Sequence, residues 1–135
     1  MISILIVDDD EEMCETLSDI LKLKGYSTHK AFNGSEALKI VDAEEVDVML
    51  MDIMMPEING VETFKKVKKL KKGISVIMIT AYAVDELINE AMETGAFNII
   101  YKPLDIDDLV ENIVSAGPQQ VNISTEADLS SSTPR

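Results

Sequence analysis

Short apolar runs at residues 4–7, 46–51, 75–79 and 98–101 alternate along the chain with segments whose apolar residues fall three and four apart. That alternation restricts the fold more than any other feature. The runs are rich in Ile, Val and Met and lack polar alternation, which predicts strands covered on both faces. A weaker run at 26–31 mixes polar and apolar residues, as an edge strand does. Helical spacing is clearest for Ile106, Leu109, Val110, Ile113 and Val114. It recurs in Met13, Leu17, Ile20 and Leu21, in Val61, Phe64, Val67 and Leu70, and in Leu87, Ile88, Ala91 and Met92. Ala37, Leu38 and Val41 mark a shorter helix, and Gly25, Gly73, Gly95 and Gly117 follow four of the patterns where a helix-ending glycine belongs. Five β units alternating with five α units over residues 1–116 predict one α/β domain, a parallel sheet with helices on both faces.

Such sheets bind ligands beyond the carboxyl ends of their strands, where the strand order reverses. The residues ending the central runs are therefore the candidate site. The first run leads into Asp8, Asp9 and Asp10, the second into Asp52, the third into Thr80, and the last into Lys102 and Pro103. Five consecutive acids, Asp8 to Glu12, require an offsetting positive charge. Clustered hard oxygen donors suit Mg²⁺, with Mn²⁺ as the alternative ion, and a hydroxyl with an ammonium suits phosphoryl oxygens. Asp10 is left to cap the first helix, with Glu11 and Glu12 in its first turn.

Charge narrows the partners. Acidic residues number 25 against 12 Lys and Arg, a formal net charge of −13, which opposes direct binding to nucleic acid or an anionic membrane. Cys14, the single cysteine, excludes an internal disulfide and a Cys-based zinc site and fits a cytoplasmic setting; its role is that of a small core residue. No apolar stretch approaches the ~20 residues of a membrane span, and residues 1–7 lack the basic start of a signal peptide.

Taken in order, Asp8-Asp9, then Asp52 with Met55, Pro56 and Gly60 in MDIMMPEING, then Thr80-Ala81, then Lys102-Pro103 in IIYKPLD resemble the receiver domain of two-component response regulators. The resemblance covers residues 1 to about 116. It implies a doubly wound, flavodoxin-like (βα)5 fold with strand order 2-1-3-4-5, a signalling phosphoacceptor rather than an enzyme. Asp52 would take a phosphoryl group from the phosphohistidine of a sensor kinase or phosphotransfer protein. Asp9 and Asp52 would hold the metal directly, Met54 through its backbone carbonyl, and Asp8 largely through metal-bound water. Thr80 and Lys102 would contact the phosphoryl oxygens, and the Lys102–Pro103 bond would be cis.

In this family the switch couples the threonine to an aromatic residue three places before the lysine, and here that position is Ile99. An aromatic rotamer flip is excluded there, while Thr80 and the loop after it remain free to move. Met54 and Tyr82 occupy the two positions that tune phosphoryl lifetime; neither orients water, which implies slow self-dephosphorylation. The resemblance also implies an exposed output surface on the fourth helix, fifth strand and fifth helix, serving a downstream effector, an output domain beyond this chain, or a phosphorylation-dependent dimer of an otherwise monomeric protein.

Other features read as structural. Lys65, Lys66, Lys68, Lys69, Lys71 and Lys72 are expected to form a solvated helix face, and His29 has no neighbours at metal-ligand spacing. Residues 117–135 are polar and Ser/Thr-rich and read as a flexible tail or the start of a linker. The principal rival is a haloacid dehalogenase-like phosphatase with Asp8 as nucleophile, Asp10 as acid-base residue and Asp105, Asp107 or Asp108 as the final acids. It fails because Glu12 stands where a threonine or valine belongs, no cap domain fits, and Asp52, Pro56 and Gly60 go unexplained. A phosphorylation-independent interaction module is the remaining alternative, disfavoured by the complete acid, Thr and Lys set.

Overall fold

The structure, a computed structural model, describes residues 1–118; all but the first two residues of the expected tail at 117–135 lie outside the described residues. Five strands and five helices alternate: β1 Ser3–Val7, α1 Glu11–Leu23, β2 Ser27–Ala31, α2 Gly34–Ala43, β3 Val48–Asp52, α3 Gly60–Leu70, β4 Ser75–Thr80, α4 Asp85–Thr94, β5 Asn98–Tyr101 and α5 Ile106–Ala116. All strand pairings are parallel, in the order β2-β1-β3-β4-β5. The expected sheet and strand order are both present.

Side-chain alternation along the strands splits the core in two. Ile4 and Ile6 of β1, Val48 and Leu50 of β3, and Ile77 and Ile79 of β4 pack with Cys14, Leu17 and Leu21 of α1 and Leu109 and Ile113 of α5. Leu5, Val7, Met49, Met51, Val76 and Met78 point the other way, against Ala37 and Val41 of α2, Val61, Phe64 and Val67 of α3, and Ala91 of α4. Each buried Val, Leu, Ile, Phe or Met contributes about 1.5–3 kcal/mol through the hydrophobic effect. Because both faces are covered, the central strands carry apolar residues at every position between their end residues, which is why they appear in the sequence as continuous runs.

The structure corrects several expectations. β5 was expected to be buried on both faces, yet it lies at the sheet edge with Asn98 and Tyr101 exposed. β3 begins at Val48 rather than Val46 and includes Asp52 as its last residue. Leu70, Met92 and Val114 match the helical spacing but are substantially exposed, since each lies at the margin of its helix's apolar stripe. Gly25 and Gly95 take the left-handed backbone that ends α1 and α4, whereas Gly73 and Gly117 do not: α3 already closes at Lys71, and Gly117 is extended. Asp10, Asn33, Asn59 and Asp105 each cap the helix that follows, accepting from the backbone N–H three residues on.

Candidate functional site

The strand order reverses between β1 and β3, and both deliver a carboxylate to the same rim. Asp8 follows β1 directly, its backbone N–H tied to Ala31 O of β2, and Asp52 closes β3. Both are buried, at 2% and 6% exposure, while Asp9 is exposed. One carboxylate oxygen from each of Asp8, Asp9 and Asp52 lies within 4.8 Å of the others. The Lys102 ammonium arrives after β5, 2.8 Å from Asp8 Oδ2 and 3.5 Å from Asp52 Oδ2. The Lys102–Pro103 peptide bond is cis, and Lys102 N–H donates to Thr80 O at 2.8 Å.

Local backbone holds these groups in place. Asp8 Oδ1 accepts from Asp10 N–H at 2.9 Å, and Asp52 Oδ1 accepts from Met54 N–H at 3.2 Å. Gly60 approaches so closely that a Cβ there would sit 2.2 Å from Asp52 O, so no larger residue fits without displacing the end of β3. Its N–H donates to Ile53 O at 2.8 Å, closing the loop that carries Met54, Met55 and Pro56. Cys14 Sγ donates to Asp8 O at 3.3 Å; burial pushes its thiol up to about 12, so it is a packing residue and not a reactive one.

Charge crowding is evident in Asp52. Burial, then the neighbouring Asp8 charge, push its carboxyl up to about 6 against the opposing pull of Lys102. Burial disfavours the Lys102 charge, but its hydrogen bond to Asp8 and the Asp52 and Asp8 charges hold it above the ordinary lysine range. With all groups ionised, three carboxylates face one ammonium, an excess that a divalent cation neutralises. Oxygens bound to one Mg²⁺ at roughly 2.0–2.1 Å lie within about 4.2 Å of each other, so this all-oxygen cluster, spread over no more than 4.8 Å, fits the ion after a contraction of a few tenths of an ångström.

Thr80 is fully buried at the end of β4, and its hydroxyl is engaged locally: it donates to Tyr82 O at 2.8 Å and accepts from Tyr82 N–H at 3.0 Å. Tyr82 is 65% exposed, and Ile99 is part-buried against the α2–α4 core. The Thr80–Tyr82 turn had no sequence signal beyond the Thr itself. Nor did the engagement of two lysines of the basic run with α4: Lys65 pairs with Glu90, and Lys68 donates to Thr94 O at 2.9 Å, so the run is not uniformly solvated. His29 belongs to no metal-ligating group among the described residues.

Acids from two adjacent strands, at the point where the order reverses, with a lysine and a hydroxyl arriving from the next two, define a doubly wound α/β domain equipped for phosphoryl chemistry. The chain belongs to the response regulator receiver domain family, whose model matches residues 4–114, and is a receiver domain of two-component response regulators. Regulatory protein AtoC of Escherichia coli (strain K12) is 42% identical over 106 residues, 78% of this chain but 23% of that protein. The chain thus spans about a quarter of that relative's length. Sporulation initiation phosphotransferase F of Bacillus subtilis (strain 168) is 37% identical over 119 residues, 88% of this chain and 96% of that one. Response regulator protein TrrA of Thermotoga maritima, solved in complex with Mg(2+)-BeF, superposes with a TM-score of 0.76 at 33% identity, covering 86% of this chain and 99% of that one.

Proposed function

We propose that Asp52 is the phosphoacceptor of this receiver, taking its phosphoryl group from a phosphohistidine on a sensor kinase or phosphotransfer protein. The observation that carries this reading is the convergence of Asp8, Asp9 and Asp52 within 4.8 Å, with Lys102 set between Asp8 and Asp52. An Asp52 carboxylate oxygen attacks phosphorus, the P–N bond to the donor histidine breaks, and its electron pair returns to the imidazole. Asp8, Asp9, Asp52 and the Met54 carbonyl would hold Mg²⁺ or Mn²⁺, which when bound screens the charge between carboxylate and phosphoryl oxygens. Lys102 orients Asp8 in the resting state and faces the incoming group; the Thr80 hydroxyl reaches that group after leaving Tyr82 O.

Asp8 and Asp52 are each held by one backbone N–H and by Lys102, but the lysine lies 2.8 Å from Asp8 and 3.5 Å from Asp52, which leaves the Asp52 carboxylate the less engaged nucleophile of the two. That argues against the phosphatase reading. Met54 and Tyr82 offer no carboxylate or amide to orient an attacking water, so self-dephosphorylation is slow; a phosphoryl lifetime of only seconds in the purified protein would contradict this. The output is a downstream effector or an output domain, a cytoplasmic setting fits the family, and no helix among the described residues is long and apolar enough to cross a membrane.

Incubation with acetyl phosphate and Mg²⁺, followed by intact mass, borohydride reduction and peptide mapping, tests the reading. A Mg²⁺-dependent adduct on Asp52, absent in Asp52→Asn and retained in its position in Asp8→Asn, is the expected result. Modification of Asp8 with rapid turnover would instead establish the phosphatase.

A further inference from the structure

Of the six asparagines in the chain, only Asn33 and Asn59 are followed by glycine; the other four precede Glu or Ile. Glycine has no Cβ to shield its nitrogen or restrict its backbone, so an asparagine carboxamide is most open to attack from that neighbour. The two asparagines share one structural role. Asn33 Oδ1 accepts from Glu36 N–H at 2.9 Å ahead of α2, and Asn59 Oδ1 accepts from Glu62 N–H at 3.0 Å ahead of α3. Their ψ angles are 172° and 171°, so each needs the same rotation to bring the glycine nitrogen against its own side chain. Both residues are half-buried.

The glycines, however, are held differently. Gly60 N–H donates to Ile53 O at 2.8 Å, and the space beside its Cα is filled by the backbone carbonyl of Asp52 at the end of β3. For this nitrogen to react, a buried hydrogen bond must break and a central strand must yield. Gly34 N–H donates to no acceptor among the described residues, and what lies beside its Cα is the side chains of Thr63 and Ile58. Side chains give way by rotation, whereas the backbone of a strand paired on both sides does not. The reactive nitrogen is thus engaged after Asn59 and unengaged after Asn33.

We propose that Asn33 is a site of spontaneous deamidation and isomerisation in the folded chain, and that the contacts of Gly60 withhold Asn59 from the same reaction. Hydroxide removes the Gly34 amide proton, the nitrogen attacks Asn33 Cγ, and a C–N bond forms. The Cγ–Nδ2 bond breaks, and ammonia leaves with a proton taken from water. Water then opens the five-membered imide at either carbonyl, giving aspartate or isoaspartate. Aspartate keeps the acceptor for Glu36 N–H and adds a negative charge at a helix start, where it is favourable. Isoaspartate lengthens the backbone by one carbon, which unhooks that bond and the reciprocal one from Phe32 N–H to Glu36 Oε1.

The full chain is held at pH 8 and 37 °C, native or in urea, and its tryptic peptides 31–39 and 40–65 are followed by mass and chromatography. Asn33 is expected to convert at least tenfold faster than Asn59 in the native chain, with both aspartate and isoaspartate formed. In urea the two rates are expected to converge within twofold, because both asparagines precede glycine. Asn33→Asp is expected to abolish the mass gain in peptide 31–39 and to leave the conversion of Asn59 unchanged. Equal native rates, or a faster Asn59, overturn the proposal. So does a native chain in which neither converts while both convert in urea, and so does aspartate formed without isoaspartate, which would bypass the imide.

Discussion

Lys102 lies closer to Asp8 than to Asp52, 2.8 Å against 3.5 Å, so in the resting site its charge is spent chiefly on a residue other than the proposed phosphoacceptor. This gives its removal two effects of opposite sign. In Lys102→Met the loss of a cation leaves the acidic cluster more negative, so Mg²⁺ affinity is unchanged or higher. Phosphoryl uptake from acetyl phosphate falls by about tenfold or more, because a donor aimed at the transferring oxygens is gone. Parallel loss of metal affinity and uptake, measured by calorimetry and mass spectrometry, would contradict this division of labour.

Asp52 makes the metal-free protein sensitive to pH. Its carboxyl, at about 6 in the folded chain, lies above the ordinary carboxylate value, so the folded state binds this proton more tightly than the unfolded state. The associated stability is fully present below the unfolded value of about 4 and is lost as pH rises through about 6. The difference, about two pH units, corresponds to at most about 3 kcal/mol. Asp52→Asn is therefore expected to be more stable than the parent at pH 7 by about 1–3 kcal/mol and to show a flatter stability profile from pH 4 to 6 in urea melts with EDTA. A parent protein whose stability climbs through that window by the same amount as the variant's would show that the carboxyl is not under such pressure.

Gly60 is required by contact rather than by backbone conformation. A Cβ placed 2.2 Å from Asp52 O forces the start of α3 away from the end of β3. Gly60→Ala is expected to cost about 1–3 kcal/mol and to slow labelling of Asp52, since the carbonyl of the proposed nucleophile moves. Urea unfolding and the acetyl phosphate assay report the two effects separately; an alanine variant matching the parent in both would mean the loop yields freely.

Glu57 sits at a φ of 71°, in the left-handed region, on the exposed loop after Pro56. A side chain with a Cβ costs about 1–2 kcal/mol there, whereas glycine adopts it readily. Glu57→Gly is expected to raise the melting temperature, by an amount corresponding to about 1 kcal/mol less the extra entropy of the unfolded glycine, with labelling of Asp52 unchanged. A lower melting temperature would point to an interaction of the Glu57 side chain that offsets the strain.

The order of elements and the rim residues were legible in the chain because both depend on local rules. Strands covered on two faces must be apolar at every position, helices must repeat their apolar residues near every fourth, and a parallel βα alternation places each strand's exit on one side. From this Asp8, Asp52, Thr80 and Lys102 follow as neighbours, and Asp10 announces the start of α1 through its own chemistry, whereas the equivalent roles of Asn33, Asn59 and Asp105 came only from the structure.

What tertiary structure decided is which partner each polar group takes. The preference of Lys102 for Asp8, the Thr80 hydroxyl's engagement with Tyr82 O, the grip of Lys65 and Lys68 on α4, and the exposure of β5 at the sheet edge all join residues distant in sequence or depend on backbone direction in a loop. Periodicity reports which side of an element is buried; it does not report the distance between two charged atoms. Hydrogen bonds and ion pairs change steeply over a few tenths of an ångström, so the chain by itself specified the groups that meet at the rim, and packing alone chose their pairings.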